Sequence, residues 1–204
     1  MSRREYVYPH DFYNMQSDDE LTLLEHFKTH QGKIPYACGP NAALLVLHYY
    51  NDYSFSEREL FYIVDCKQPE GTRIKNIVDF FRRQKYEVET SIEQPKKVSG
   101  KIFDTMEEFR DFVISNLKKG YPIIVESVYY GGHYQVIIGY DKRSATDYFH
   151  DMLIFADPSD DADDYVDGYT YFSAIKFFAM WFDDRYLPME HRMQPYIVVK
   201  GKKT

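Results

Sequence analysis

The segment Tyr36–Tyr50, YACGPNAALLVLHYY, sets a cysteine before a Gly-Pro pair and then continues as an apolar run. Pro40 fits the first turn of a helix, where its missing N–H goes unused, and Gly39 leaves room for a substrate backbone to approach Cys38. The reading is a helix whose N-terminus carries the Cys38 thiol. There the positive end of the helix dipole and unpaired amides favour thiolate over thiol. The same position also suits a small buried core residue, a common setting for cysteine. Which role applies depends on what else the chain brings to the sulfur.

A nucleophilic cysteine needs a base that later protonates the leaving amine, usually histidine. His48 lies on the same helix, ten residues on, and at about 1.5 Å per residue it is roughly 15 Å away, out of reach. His133 follows Gly131-Gly132 and opens a β-branched run, so its ring edge can face a cleft. A third group must hold the imidazole in one tautomer. If the strand from His133 pairs with DMLIFADP as a hairpin centred near residue 145, His133 falls opposite Asp157. Asp141 is closer in sequence but, along an extended strand, about 26 Å distant. A slip of one residue would turn Asp157 to the other face.

Around these residues the pattern is α+β. Ser17 in SDDEL, Ser56 in SEREL and Thr105 in TMEEFRDFVISNLKKG each open a Ser/Thr-x-x-Glu capping box, predicting helix starts. Ile74, Ile77, Val78 and Phe81 predict another helix, and SAIKFFAMWF one near the end. YPIIVESVYY, HYQVIIGYD, DMLIFADP and PYIVVK predict antiparallel strands. Helices first and strands later give a helical N-terminal half packed on an antiparallel sheet. At 204 residues and 44% hydrophobic, one domain spanning 1–204 is expected, with 1–29 as an N-terminal extension.

The net charge of -7 argues against a nucleic-acid backbone binder. No apolar run reaches the roughly 18 residues of a membrane span, and no signal core opens the chain, which predicts a cytoplasmic protein without membrane contact. Cys38 and Cys66, the two cysteines, make neither a disulfide framework nor a zinc motif; Cys66 reads as a buried core residue. The acidic run DPSDDADDYVDG holds Asp157, Asp160, Asp161, Asp163, Asp164 and Asp167 but lacks the spacing of a calcium loop, so it reads as a solvated loop. No metal and no cofactor are expected. Twenty tyrosines suit strands and half-wet peptide grooves alike.

In order along the chain, YACGPNAALLVLHYY, Gly71-Thr72, KKGYPIIV, GGHYQVIIGYD and FADPS resemble the papain-like cysteine peptidases of the bacteriocin-leader-processing (double-glycine) type and their standalone relatives. More distantly they resemble the phytochelatin synthases. The resemblance spans about residues 30 to 182. It implies a papain-like fold and a cysteine peptidase acting through a thioester acyl-enzyme, with Cys38 as nucleophile, His133 as base and Asp157 as orienter. It also implies an oxyanion-hole glutamine, usually six residues before the cysteine; here Gln31 stands seven before. A peptide or small amide is the implied substrate. The same site could serve an acyltransferase or amidase of the transglutaminase or phytochelatin-synthase kind, and the fold could serve a catalytically silent peptide-binding domain.

Overall fold

The computed structural model describes residues 11–30, 32–128, 132–144, 147–160, 166–184 and 187–202. Among the described residues five α-helices, α1 (Cys38–Tyr49), α2 (Glu57–Ile63), α3 (Ile74–Arg83), α4 (Met106–Leu117) and α5 (Ala174–Met180), accompany one antiparallel sheet. Its strands are β1 (Leu21–Leu23), β2 (Tyr86–Thr90), β3 (Ile123–Ser127), β4 (His133–Asp141), β5 (Met152–Ala156), β6 (Tyr169–Ser173) and β7 (Tyr196–Lys202). The path across it is β2-β7-β3-β4-β5-β6. β4 is the long central strand. β3 pairs with its first half, His133 to Ile137, and β1 with its end, Gly139 to Asp141.

Two of the expected capping boxes form as read. The Ser56 and Thr105 hydroxyls accept the amides of Glu59 and Glu108, whose carboxylates accept the cap amides in return. The third does not. Asp18 Oδ1 instead accepts the amides of Glu20 and Leu21 at 2.8 Å, making a turn, and Ser17 Oγ binds both backbone groups of Leu23. Leu21 to Leu23 then join β4 as a strand, because the edge of β4 beyond its pairing with β3 offers ladder bonds that an isolated helix turn cannot match. That strand lies within the expected extension 1–29. β2 and β6 were also not foreseen.

α1 is buried along most of its length, Ala42 to Leu47 all lying in the core, which is why its sequence is apolar on every side. Tyr134 of β4 meets Gly39 at the start of α1. Ile137, the next but two, pairs with Phe155, whose ring lies 5.2 Å from that of Phe177 in α5. Alternate residues of β4 therefore face α1 and the α4–α5 layer. In that layer Trp181 is 1% exposed among Phe103, Phe109 and Phe177. Among the described residues no helix is long and apolar enough to cross a membrane, and no cluster of three His, Cys, Asp or Glu side chains could hold a metal ion.

Candidate active site

Cys38 is the first residue of α1, with Ala37 at the N-cap and Pro40 in the first turn. Gly39 has a different task from the one expected. A Cβ there would fall 2.3 Å from the Thr72 methyl carbon Cγ2 and 3.3 Å from the Tyr134 ring. The chain itself fills the space beside Gly39, and the missing side chain lets α1 seat closely enough for Cys38 to reach β4.

The structure brings His133 and Asp157 together. His133 Nε2 lies 2.7 Å from Asp157 Oδ1, both side chains being almost fully buried. His133 also shares a side-chain hydrogen bond with Cys38; because Nε2 is committed to Asp157, this falls to Nδ1. The three side chains thus form a line from sulfur through imidazole to carboxylate.

Their electrostatics reinforce one another. Burial raises the Cys38 thiol, but the hydrogen bond and charge of His133, with the amides of Tyr134 and Gly39, outweigh it and the net shift is downward. Burial pulls His133 down, yet the hydrogen bonds and charges of Asp157 and Cys38 carry it up to about 10. Asp157 is depressed: burial opposes ionisation, and His133, the Ser159 amide and Gln135 more than offset it. The shifts together favour thiolate at Cys38, imidazolium at His133 and carboxylate at Asp157.

The register that achieves this differs from the expected one. β4 pairs Asp141 with Met152, Tyr140 with Leu153 and Gly139 with Ile154; after a bulge at Ile138, Ile137 pairs with Phe155 and Val136 with Ala156. One step further sets Gln135, not His133, opposite Asp157. His133 is two residues on, on the same face, and reaches Asp157 diagonally. Without the bulge Val136 would stand opposite Asp157, and His133 would point to the other side of the sheet. A hairpin centred near residue 145 has the wrong register but the right parity, which is why it still joins the correct pair.

Gln135 was missed by sequence reading. Its Nε2 donates to Asp157 Oδ2 at 2.6 Å, and the Ser159 amide donates to Oδ1 at 2.9 Å. The carboxylate is therefore held on both oxygens. The signal available was its place two residues from His133 on one strand face. Gln135→Met would leave Oδ2 buried without this donor, at a cost of about 1–3 kcal/mol. Asp157 is a depressed acid, so its contribution is present above its unfolded pKa and lost as pH falls through the folded value. Urea denaturation should accordingly show the full deficit of Gln135→Met at pH 7 and a smaller one in acid. A deficit independent of pH would contradict this role.

Gln31 lies outside the described residues. The chain just after it is firmly placed. The Gly32 amide donates to Pro158 O at 2.9 Å, and Glu57 Oε1 accepts the amides of Lys33 and Ile34 and Asn41 Nδ2 at 2.8 to 2.9 Å. His48 stays on α1 beside His30 and Tyr53. Cys66 is buried, donates to Tyr36 O at 3.3 Å, and is pushed up to about 12 by burial. The acidic run is less solvated than expected: Asp160 is 2% exposed and accepts the Gly168 amide at 2.6 Å, locking the turn after Asp157. Asp161, Asp163, Asp164 and Gly131 lie outside the described residues.

Solved structures similar in fold include two peptidase domains. The peptidase domain of Streptococcus ComA, a bi-functional ABC transporter involved in a quorum sensing pathway, superposes with a TM-score of 0.54 at 17% identity, covering 87% of this chain and 100% of that one. A double glycine motif protease from an AMS/PCAT transporter, in complex with the leader peptide, gives 0.53 at 12% identity over 85% and 91%. Both bear out the expected papain-like α+β arrangement. No curated protein matches the chain. Across residues 16–190, which include α1, β4 and β5 with all three aligned side chains, the sequence matches a family model, and the chain belongs to the Peptidase_C39 like family.

Proposed function

We propose that this protein is a cysteine peptidase that cleaves a peptide bond through Cys38, His133 and Asp157. The observation that carries this reading is the sulfur–imidazole–carboxylate line, with Cys38 at a helix start and shifted toward thiolate. Family membership supports a cysteine peptidase, and the neighbour solved with a leader peptide supports a peptide as substrate.

The Cys38 thiolate attacks the substrate carbonyl carbon, and the electron pair moves to the carbonyl oxygen. The free Cys38 amide at the first turn of α1 and the Gln31 side chain supply the oxyanion donors. As the C–N bond breaks, His133 Nδ1–H gives its proton to the leaving amine, leaving a thioester. Neutral His133 then takes a proton from water, whose oxygen attacks the thioester; the acid product departs and Cys38 returns as thiolate beside imidazolium. Throughout, Asp157 accepts from Nε2–H and fixes the tautomer.

Alkylation by iodoacetamide tests the nucleophile. Cys38 in the wild type should reach its plateau rate at a lower pH than an ordinary thiol, whose pKa lies near 8.5. In His133→Ala the rise should move to higher pH, because burial then acts on the thiol unopposed by the imidazole. Identical profiles rising near pH 8.5 in both proteins would defeat the proposal. Trapping the acyl group on Cys38 by acid quench and mass spectrometry, then timing its loss with and without added amines, separates hydrolysis from transfer.

A further inference from the structure

Beside the Cys38 end of α1 lies a cavity of about 450 Å³ that the chemistry above does not use. Its exposed mouth carries Asp65, Lys67, Glu70 and Arg73. These charges balance, and Lys67 lies 3.1 Å from Asp65. The inner wall is Thr72, and Glu126 of β3 enters the cavity from below with 3% of its surface exposed. The cavity begins within one residue of the nucleophile, because the Thr72 methyl and the Tyr134 ring both press into the space beside Gly39. Glu126 pairs with Tyr134 across β3 and β4, next to the pair Ser127 and His133.

Glu126 is out of place for a structural residue. Its Oε2 is buried with no hydrogen-bond partner among the described residues. The Tyr134 hydroxyl donates to Thr72 O at 3.2 Å and also lies within hydrogen-bonding reach of the Glu126 carboxyl, and a second buried carboxyl, Asp183, stands equally near it. A buried oxygen without a donor bears a desolvation cost that an entering donor removes. An apolar group would leave that cost in place, and an acidic one would add a third carboxyl. With a neutral mouth, the floor sets the preferred charge.

We propose that this cavity is a specificity subsite for a lysine or arginine side chain of the peptide substrate, whose charged end pairs with Glu126. The inference rests on the peptidase reading and supplies its substrate class. In the empty cavity burial and the neighbouring Asp183 carboxyl keep Glu126 protonated well above the usual carboxylate range. Entry of a cation then releases that proton to solvent and leaves a carboxylate facing the ligand.

The test uses fluorescently labelled tetrapeptide amides in which one position at a time is arginine, norleucine or glutamate, bound to the full-length Cys38→Ala variant. At one position arginine should bind at least tenfold more tightly than norleucine, and glutamate most weakly. Adding Glu126→Gln should bring the arginine-to-norleucine ratio to within about twofold. No arginine preference at any position, or one that survives Glu126→Gln, overturns the proposal. If Glu126→Gln fails to fold by circular dichroism, titration calorimetry of Cys38→Ala in two buffers of different ionisation enthalpy decides. Release of about one proton with the arginine peptide and none with norleucine supports the subsite, and equal counts refute it. Hydrolysis of the same peptides by wild type is scored separately. Cleavage without arginine preference removes the subsite and leaves the peptidase, whereas arginine-selective binding without cleavage does the reverse.

Discussion

Replacing His133 with alanine is expected to lower kcat/KM for peptide hydrolysis by about four orders of magnitude, with Cys38→Ala at least as severe. Both losses follow from one geometry. Without the imidazole, Cys38 loses the hydrogen bond and charge that hold it as thiolate, and burial then drives it back toward thiol. The leaving amine also loses its proton donor. Substrate contacts elsewhere in the cleft are unchanged, so the deficit should fall on kcat more than on KM. Combining the two substitutions should add little, because each removes the same linked step. Steady-state kinetics on a peptide substrate of the wild type checks this; a His133→Ala deficit below tenfold would remove it from the mechanism. The alkaline limb carries a second expectation. His133 is raised to about 10, so activity should hold through pH 8 and decline only as the imidazolium loses its proton near that value.

The largest effect on stability should come from Trp181→Ala, at about 3–5 kcal/mol. Trp181 is 1% exposed and its ring lies 5.1 to 5.9 Å from those of Phe103, Phe109 and Phe177. Truncation leaves a cavity where α4, α5 and β7 meet. It also removes the Nε1–H that donates to Pro195 O at 3.1 Å. Since domains of this size are stable by about 5–15 kcal/mol, urea denaturation should show the midpoint falling by a large fraction. Trp181→Phe, which retains a ring but not the donor, should cost much less. Equal losses for both would shift the weight from packing to the hydrogen bond.

What could be read from the sequence was local. The Ser56 and Thr105 boxes carry their own acceptors and donors within four residues, and Cys38-Gly39-Pro40 marks its own helix start, so each can be read without knowing its tertiary setting. Ser17 shows the limit. It has the same box pattern, but β4 competes for its backbone and wins. β2 and β6 are short strands whose identity depends on the neighbours they meet, β7 and β5. Gln135 and Asp160 escaped notice for a related reason: each acts on a group brought near by folding, Asp157 or Gly168. His133 and Asp157 could be paired from sequence because strand faces repeat every second residue, even though the Ile138 bulge could not be foreseen.

That bulge sets what kinds of change the protein can accumulate. The connection between β4 and β5 lies beyond the last ladder pair, Asp141 with Met152, so residues can be gained or lost there without disturbing the pairing behind it. Between His133 and Ile138 a change of one residue turns the imidazole to the far side of the sheet from Asp157. The loop can therefore change in length without moving His133 relative to Asp157, whereas one residue added behind it turns the imidazole away and two carry it about 7 Å along the strand, so that stretch must keep its count.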